Sequence, residues 1–357
     1  MQGIKDLTEI ERLNFLKTIQ LGCSSQNEFE SYVDEYKGNL KKEEVLRRIK
    51  GLFLEDEFLL LSKTMGSCSL INSVDQSIAI NHNLKVPDFL ASFNLDNSYY
   101  DKRLINLKFN SFIEAKSSNF DKTSKISKAF INKYSDFSEQ YNMPLIFASR
   151  LNLNNLPMWI MQTDKQLIAS GRSSSPTSMF DSIGHLIFND FFIQSLQDIY
   201  IDCIYNSTIT KLNVYSEKFG YLESVTITIG SEKFELDKHN ISLYSFINNF
   251  TGYRSLGTNK VFDKIIDRAI IPKLSMGLLS SMIIKSNYSL LSMDGEKYTS
   301  AAKFLSMVNS GKTRYIDRDL FIQGLTFFNN ITPTFITLSI GKCNKENIDT
   351  LLSLKKT

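Results

Sequence analysis

The chain has 357 residues, which exceeds one typical domain and is closer to the size of two. Hydrophobic residues make up 42% of the chain and charged residues 22%, which excludes a chain that is disordered, collagen-like or coiled-coil throughout. Lys and Arg number 41, and Asp and Glu number 38. The resulting net charge of +3 is too small to indicate a polyanionic partner, so any basic patch has to be local.

Residues 5–66 are predicted to be helical. Leu13, Leu16 and Ile19 recur at helical spacing, and a second helical run covers 41–65. Gly66 and the serines that follow it then interrupt the helical pattern. The chain is therefore expected to begin with a helical extension.

Residues 68–163 are predicted to contain strands, one helix and then two further strands. Short apolar runs over 68–117 alternate with Asn, Asp and Ser, which is typical of strands. Aromatic and aliphatic residues recur over 126–141 at steps of three and four, which predicts an amphipathic helix. The apolar runs 144–151 and 157–163 predict two buried strands.

The rest of the chain gives a less regular pattern. Composition predicts a loop at 168–178 and a strongly apolar helix at 179–199. Alternating β-branched residues over 211–237 predict two or three antiparallel strands. The remainder, to about residue 330, is predicted to be mainly helical, with a final strand at 333–340.

The residues that point to chemistry lie in two of the predicted strands. Val86-Pro87-Asp88 is placed in one strand and Phe112–Lys116 in a later one. Since side chains alternate along a strand, Glu114 and Lys116 share a face, and Asp88 joins them if the strands are neighbours. Two converging carboxylates can hold divalent cations, and a lysine beside them can orient or deprotonate a water. This is the arrangement that metal-assisted hydrolysis of a phosphodiester requires.

In these residues the chain resembles the PD-(D/E)xK nuclease superfamily, which has the restriction-endonuclease-like fold. The matching residues are Pro87-Asp88 and, 26 positions after Asp88, Glu114-Ala115-Lys116, within a region of about 42–163. The resemblance implies a mixed central sheet flanked by helices and a Mg²⁺ cofactor, for which Mn²⁺ can substitute. It implies that Asp88, Glu114 and the Ala115 carbonyl bind metal, and that Lys116 serves the attacking water. The substrate it implies is DNA or, less often, RNA.

Many members of this superfamily add an acidic residue from the preceding helix. Here Glu57 is chosen as the fourth catalytic residue because it lies among apolar neighbours, where an unpaired carboxylate is costly unless a metal partners it. The alternatives Glu55, Asp56, Glu44 and Asp75 stay open, as does a surface helix acid without catalytic role.

Local charge supports a nucleic-acid partner. Residues 102–133 hold eight Lys or Arg and two acids. Lys122, Lys125 and Lys128 are the candidates for neutralising backbone phosphates. A solvated helix face explains these three lysines equally well.

The expected fold class is therefore α/β, a restriction-endonuclease-like domain over 1–200 and a second α+β domain over 201–357. The second domain has no recognised role; substrate recognition and oligomerisation are left open. The expected function is a Mg²⁺-dependent nuclease, with restriction or phage defence among its settings. The alternatives are a catalytically silent binding module and an interaction protein in which the motif is coincidental.

The remaining expectations concern surroundings and partners. Four cysteines without a CxxC pair and only three histidines argue against a zinc site and a disulfide scaffold, and so favour a cytoplasmic protein. The charged residues of 1–16 are unlike a signal peptide, and no membrane partner is expected. A homodimer is left open, because cutting both strands of a duplex takes two sites.

Overall fold

The computed structural model describes residues 7–76, 83–96, 100–117, 124–153, 156–208, 212, 215–216, 218–238, 240–250, 252–293, 301–311, 315–340 and 345–354. Over these residues the protein is mixed α/β, as predicted, with several sheets and with helices between them. None of the helices within these ranges is long and apolar enough to cross a membrane.

The helical extension consists of α1 (Glu9–Gly22), α2 (Gln26–Tyr36) and α3 (Lys42–Met65). Thr8 and Glu11 form a capping box that starts α1, and Gly66 ends α3 in the left-handed conformation that glycine adopts most readily. The three helices enclose an apolar cluster of their own, made by Leu13, Leu16, Phe29, Val33, Val45 and Ile49. The predicted helical start is therefore confirmed.

A five-stranded sheet follows. Its strands are β1 (Cys68–Ser73), β2 (Phe89–Asp96), β3 (Ile105–Ser117), β5 (Leu145–Leu153) and β6 (Leu156–Thr163), in the spatial order β1-β2-β3-β5-β6. The pair β3–β5 is parallel and the other pairs are antiparallel, so the sheet is mixed. The short β4 (Ser124–Lys125) lies outside this sheet.

The parallel pair requires a crossover, which is helix α4 (Lys128–Gln140). Ser127 caps its first turn by accepting a hydrogen bond from the Phe130 amide. The buried face of α4 presents Ile131 and Tyr134 to Phe112 and Phe147 of the sheet. Helix α4 therefore covers the sheet face on which the even-numbered residues of β3 lie.

Residues 164–206 differ from the prediction. The structure has α5 (Asp164–Ala169), β7 (Ser173–Ser174), a 3₁₀ helix (Pro176–Asp181), α6 (Gly184–Ile187), β8 (Phe191–Ser195) and β9 (Ile199–Asn206). The predicted apolar helix at 179–199 is therefore wrong. Asn189 adopts a positive φ of 50° between α6 and β8, and burial then alternates along β8. A continuous apolar run does not distinguish a buried helix from buried strands.

The C-terminal half forms two further sheets. Its elements are β10 (Tyr215–Ser216), β11 (Gly220–Ile229), β12 (Glu232–Leu236), α7 (Ser242–Asn248), β13 (Arg254–Val261), β14 (Lys264–Ile271), β15 (Met276–Leu278), α8 (Leu279–Met293), α9 (Ala301–Asn309), α10 (Arg318–Ile331), β16 (Phe335–Ser339) and α11 (Lys345–Leu354). One sheet has the order β10-β11-β9-β14-β13, with β12 also on β11; the other is β15-β8-β16. The strands over 211–237 and the final strand are confirmed, whereas the β13–β14 hairpin lies in a region predicted to be mainly helical.

The N- and C-terminal halves share strands and core. β8 precedes residue 200 and pairs with β15 and β16, which follow it, and residue 200 itself lies within β9. The largest apolar cluster contains side chains from Phe58 to Leu354. The five-stranded sheet is thus held against the C-terminal half by packing as well as by the chain.

Candidate active site

The central strand of the five-stranded sheet carries the predicted catalytic pair. β3 pairs with β2 on one side and β5 on the other, and the β2 register places Phe89 opposite Ile113. Asp88 is the residue immediately before β2, so it lies beside Glu114, one step further along the same register. The prediction that Pro87-Asp88 lies within a strand is thus corrected by one position.

The carboxylate of Asp88 is fixed from both sides. The backbone N–H of Ala115 donates to Asp88 Oδ2 at 2.7 Å, and the Gln76 side-chain amide donates to Oδ1 at 2.9 Å. The first of these bonds ties Asp88 to β3 itself. The acid therefore reaches the pocket beside Glu114 although it precedes the strand.

Glu114 and Lys116 lie on the same face of β3, as their spacing predicted. Glu114 is fully buried, and its Oε1 accepts a hydrogen bond from the Lys116 ammonium. The Lys116 nitrogen also lies 5.2 Å from the ring centroid of Phe130 and 5.6 Å from that of Tyr134, both on α4. Helix α4 therefore holds the lysine over the acid by cation–π contact.

These side chains line one cleft of about 560 Å³ together with residues of α1 and α3. Asp88, Glu114, Ala115 and Lys116 form its floor, and Glu55 of α3 joins them there. The structure thus brings together Asp88, Glu114, Ala115 and Lys116, which the sequence had selected from two separate segments. The acid that α3 contributes to this cleft is Glu55, and the preference for Glu57 was wrong.

Glu57 is placed elsewhere in the fold. Successive helix residues are about 100° apart, so residues 55 and 57 face almost opposite directions. The Glu57 carboxylate is buried and accepts from Arg150 Nε at 2.8 Å, Trp159 Nε1 at 3.0 Å and Tyr288 Oη at 3.1 Å. Its burial among apolar neighbours is explained by these three donors, without a metal ion.

Asp56, Glu44 and Asp75 lie outside this cleft as well. Asp56 forms an ion pair with Lys17 at 2.8 Å, and Glu44 lies 3.4 Å from Arg48 in the first turns of α3. Asp75 lines a neighbouring cleft, which Glu55 and Asp88 also border. None of these three acids lines the cleft that contains Glu114.

The electrostatics of the cleft are those of crowded carboxylates. Burial and then the charge of Asp88 raise the pKa of Glu114 to about 8, although Lys116 lowers it in part. Burial and then Asp88 likewise raise the pKa of Glu55 to about 8. Burial alone would lower the pKa of Lys116, but the charges of Glu114 and Asp88 raise it above its ordinary value. The lysine is therefore cationic, and it compensates only part of the negative charge that ionised carboxylates would carry.

One oxygen of this group lacks a close donor. Glu114 Oε2 is buried and forms no close hydrogen bond within the part of the chain that the structure describes, although the nearby Tyr134 hydroxyl also acts on the Glu114 carboxyl and lowers its pKa. A buried carboxylate oxygen without a donor is costly, and a divalent cation is the partner that relieves the cost. The hard oxygen donors of Asp88 and Glu114 are of the kind that Mg²⁺ binds, and Ala115, whose carbonyl the resemblance implies as a further ligand, lines the same cleft.

The site is not assembled as a complete ligand cage. Among the described residues, no set of three His, Cys, Asp or Glu side chains is arranged closely enough to hold a metal ion. Lys116 contacts Glu114 Oε1, and both oxygens of Asp88 already accept hydrogen bonds. A cation held by both oxygens of Glu114 would therefore have to displace Lys116 from Oε1.

Of the predicted phosphate-binding lysines, the two that the structure describes do not line the cleft. Lys122 lies outside the described residues. Lys125 and Lys128 are exposed, at β4 and at the start of α4, and neither lines the cleft. The cationic side chains that do line it, besides Lys116, are Arg47, Arg48 and Lys85.

Sequence reasoning missed these three residues and Gln76. Arg47 and Arg48 precede Glu55 by two helical turns, so helical spacing could have placed them on the same wall once Glu55 was chosen. Lys85 is three residues before Asp88, which is a weak indication by itself. Nothing in the sequence marks Gln76 as a partner of Asp88.

Comparisons of the chain with protein-family models, with curated proteins and with solved structures found no match. The residues of this cleft are therefore the basis on which a function is proposed.

Proposed function

We propose that the protein is a metal-dependent nuclease that hydrolyses phosphodiester bonds, with DNA the favoured substrate. The observation that carries the proposal is the convergence of Asp88, Glu114 and Lys116, which neighbouring strands bring into one cleft. The mixed five-stranded sheet, with α3 and α4 packed on it, agrees with the restriction-endonuclease-like fold implied by the resemblance. Mg²⁺ is the proposed cofactor, with Mn²⁺ as a substitute.

Asp88, Glu114 and the Ala115 carbonyl would hold the cation, and Glu55 of α3 lines the same cleft, where its charge acts on Glu114. When bound, the cation supplies charge stabilisation to the phosphoryl oxygens and acidifies water. Lys116, once released from Glu114, would orient the attacking water and stabilise the negative charge that develops on the phosphate. Gln76 keeps Asp88 oriented toward the cleft by its hydrogen bond to Oδ1.

A catalytically silent nucleic-acid-binding module is the second candidate. It is favoured by the Lys116–Glu114 ion pair and by the lack of a complete ligand cage among the described residues. Nucleic-acid binding alone does not explain why an ammonium lies beside a buried carboxylate that lacks a close donor, whereas metal-dependent hydrolysis does. The two candidates therefore differ in whether the ion pair opens when Mg²⁺ is present.

The experiment is a cleavage assay with supercoiled plasmid, single-stranded DNA and RNA in Mg²⁺, Mn²⁺ or chelator. Cleavage that requires the metal and is lost in Asp88→Asn, Glu114→Gln and Lys116→Gln supports the nuclease. Lys125→Gln is the matched control, because it removes an exposed charge outside the cleft. Binding without cleavage in every metal supports the silent module, and neither binding nor cleavage contradicts both.

A further inference from the structure

The rim of the cleft carries three cationic side chains for which the proposed chemistry gives no role. Arg47 and Arg48 lie on α3, and Lys85 lies on the segment that leads into β2. Arg47 and Lys85 are exposed and form no ion pair with any described residue. The backbone N–H of Lys85 donates to the Lys133 carbonyl at 3.2 Å, which ties its segment to α4. The cations thus stand on two walls of one cleft.

Their distance from the floor fits a polymeric anion. Arg47 and Arg48 precede Glu55 by eight and seven residues, which is about 10–12 Å along the axis of α3. In a nucleic-acid strand one phosphate follows another at roughly 3.4 Å of axial rise. Along the helix axis the arginines therefore lie about three such steps from Glu55, a length that several consecutive phosphates of one strand would span.

The wall of the cleft between these arginines and Glu55 contains a glycine, so no side chain projects from α3 at that point. Gly51 lies inside α3 and lines the cleft, and a Cβ at this position would meet nothing within 4 Å. A glycine inside a helix is destabilising relative to alanine, and here no packing contact requires it. A residue without a side chain at this point instead lets a ligand approach the helix backbone closely.

The third cation, Arg48, already forms ion pairs with acids of the protein itself. Arg48 forms ion pairs with Glu9 of α1 and with Glu44 of its own helix. Glu9 lines the same cleft, as do its α1 neighbours Ile10 and Leu13. Among the described residues, four cationic and four acidic side chains line the cleft.

We propose that Arg47, Arg48 and Lys85 bind the backbone phosphates of a nucleic-acid strand beside the one at Glu114, and that Glu9 competes with the substrate for Arg48. This inference rests on the proposed function and names its substrate-binding residues. Substrate binding exchanges the Glu9 carboxylate for a phosphate at Arg48. The strand then runs over Gly51 from the arginines to the floor of the cleft.

The test measures binding in a Lys116→Gln background with Mg²⁺, which keeps the acids while suppressing cleavage. Fluorescence anisotropy with a 30-nucleotide single strand and with the matching duplex gives the observed binding constant at several salt concentrations. Removing one phosphate contact by substitution should reduce the slope of log K against log salt by roughly 0.7 for the single strand or 0.9 for the duplex. We expect this reduction for Arg47→Gln, Arg48→Gln and Lys85→Gln.

Lys125→Gln and Lys128→Gln are the matched controls, and they should leave the slope unchanged. Glu9→Gln should bind several-fold more tightly, because the competitor for Arg48 is then uncharged. Unchanged slopes for Arg47→Gln and Lys85→Gln in variants that keep the parent's melting temperature would overturn the inference. So would equal reductions in the Lys125 and Lys128 controls.

The nuclease proposal and the assignment of the phosphate-binding residues can be contradicted separately. If the wild-type protein cleaves nothing but the background variant binds with the expected slopes, the nuclease proposal fails and the phosphate-binding residues stand. If the wild type cleaves while the slopes do not change, only the phosphate-binding assignment fails. If the protein neither binds nor cleaves nucleic acid, both are contradicted.

Discussion

Helix α3 contributes one acid to each of two buried clusters. In one cluster the carboxylate has a full set of donors, and in the other several acids lie together with few donors. Around Glu57, three donors from β5, β6 and α8 satisfy the carboxylate. Around Glu114, the nearest acids are Asp88 and Glu55, one ammonium contacts one oxygen, and the other oxygen lacks a close donor among the described residues. The protein itself supplies the donors of Glu57, whereas one oxygen of Glu114 has no close donor among the described residues, and we propose that a metal ion supplies that contact.

The number of donors and the neighbouring charges distinguish Glu57, which we interpret as structural, from Glu114, which we propose is functional. Burial alone does not separate them, because both Glu57 and Glu114 are buried. A complete set of donors stabilises the fold and leaves nothing to bind. Crowded carboxylates cost stability in the absence of a ligand, and such groups are characteristic of functional sites.

The largest expected effect is on catalysis. Lys116→Gln should reduce Mg²⁺-dependent DNA cleavage by about 10²–10⁴-fold, because in the proposed mechanism it removes the group that serves the attacking water. Glu57→Gln should keep cleavage near the wild-type rate when it is assayed well below its melting temperature. Initial rates on plasmid DNA check both. Equal reductions of the cleavage rate in Lys116→Gln and Glu57→Gln would contradict the proposal that only the Glu114 cluster is catalytic.

The second expected effect is on stability, with opposite signs at the two clusters. Glu57→Gln should lower the free energy of unfolding by about 3 kcal/mol, because it leaves the Arg150 guanidinium without its ionic partner. Glu114→Gln should leave the stability of the metal-free protein unchanged or raise it, because it removes a buried acid from beside Asp88. Urea unfolding in chelator measures both. A large destabilisation by Glu114→Gln would contradict the account.

The third expected effect is a pH dependence to which Glu114 contributes. The pKa of Glu114 is raised from 4.5 to about 8, so between these values the folded state holds a proton that the unfolded state releases. The stability of the metal-free protein should therefore fall as pH rises from about 4.5 to 8. Melting temperatures in chelator should decrease from about pH 6 to 8.5, and the decrease should be shallower in Glu114→Gln. An identical slope in the variant would contradict this assignment.

The smallest expected effect concerns the wall between the arginines and Glu55. Gly51→Ala should raise the free energy of unfolding by about 0.5–1 kcal/mol, because alanine favours a helix interior and its Cβ meets no atom here. Gly51→Leu should weaken nucleic-acid binding while keeping the helix. Urea unfolding and anisotropy, respectively, measure these effects. Unimpaired binding in Gly51→Leu would show that no ligand approaches this wall.

The central part of the site could be predicted because its geometry is local. Glu114 and Lys116 share a face by strand alternation alone, and Asp88 needs only the adjacency of two consecutive strands. The same logic predicted α4 from its apolar stripe. These elements are defined by periodicity within a dozen residues of the chain.

The rest depends on partners far away in the sequence. Glu57 is held outside the cleft among Arg150, Trp159 and Tyr288, donors that lie 93, 102 and 231 positions further on and that no local pattern announces. The helix predicted at 179–199 was wrong because β8 is buried between β15 and β16, and these strands belong to the C-terminal half. Apolar composition indicates burial in such a segment but leaves its conformation undetermined.

The most direct test of the central claim is a crystal structure with Mn²⁺ located by its anomalous scattering. The account predicts a peak roughly 2.0–2.6 Å from carboxylate oxygens of both Asp88 and Glu114, with the Lys116 ammonium moved away from Glu114. An intact Lys116–Glu114 ion pair with no metal peak in the cleft, in crystals that were saturated with Mn²⁺, would contradict it.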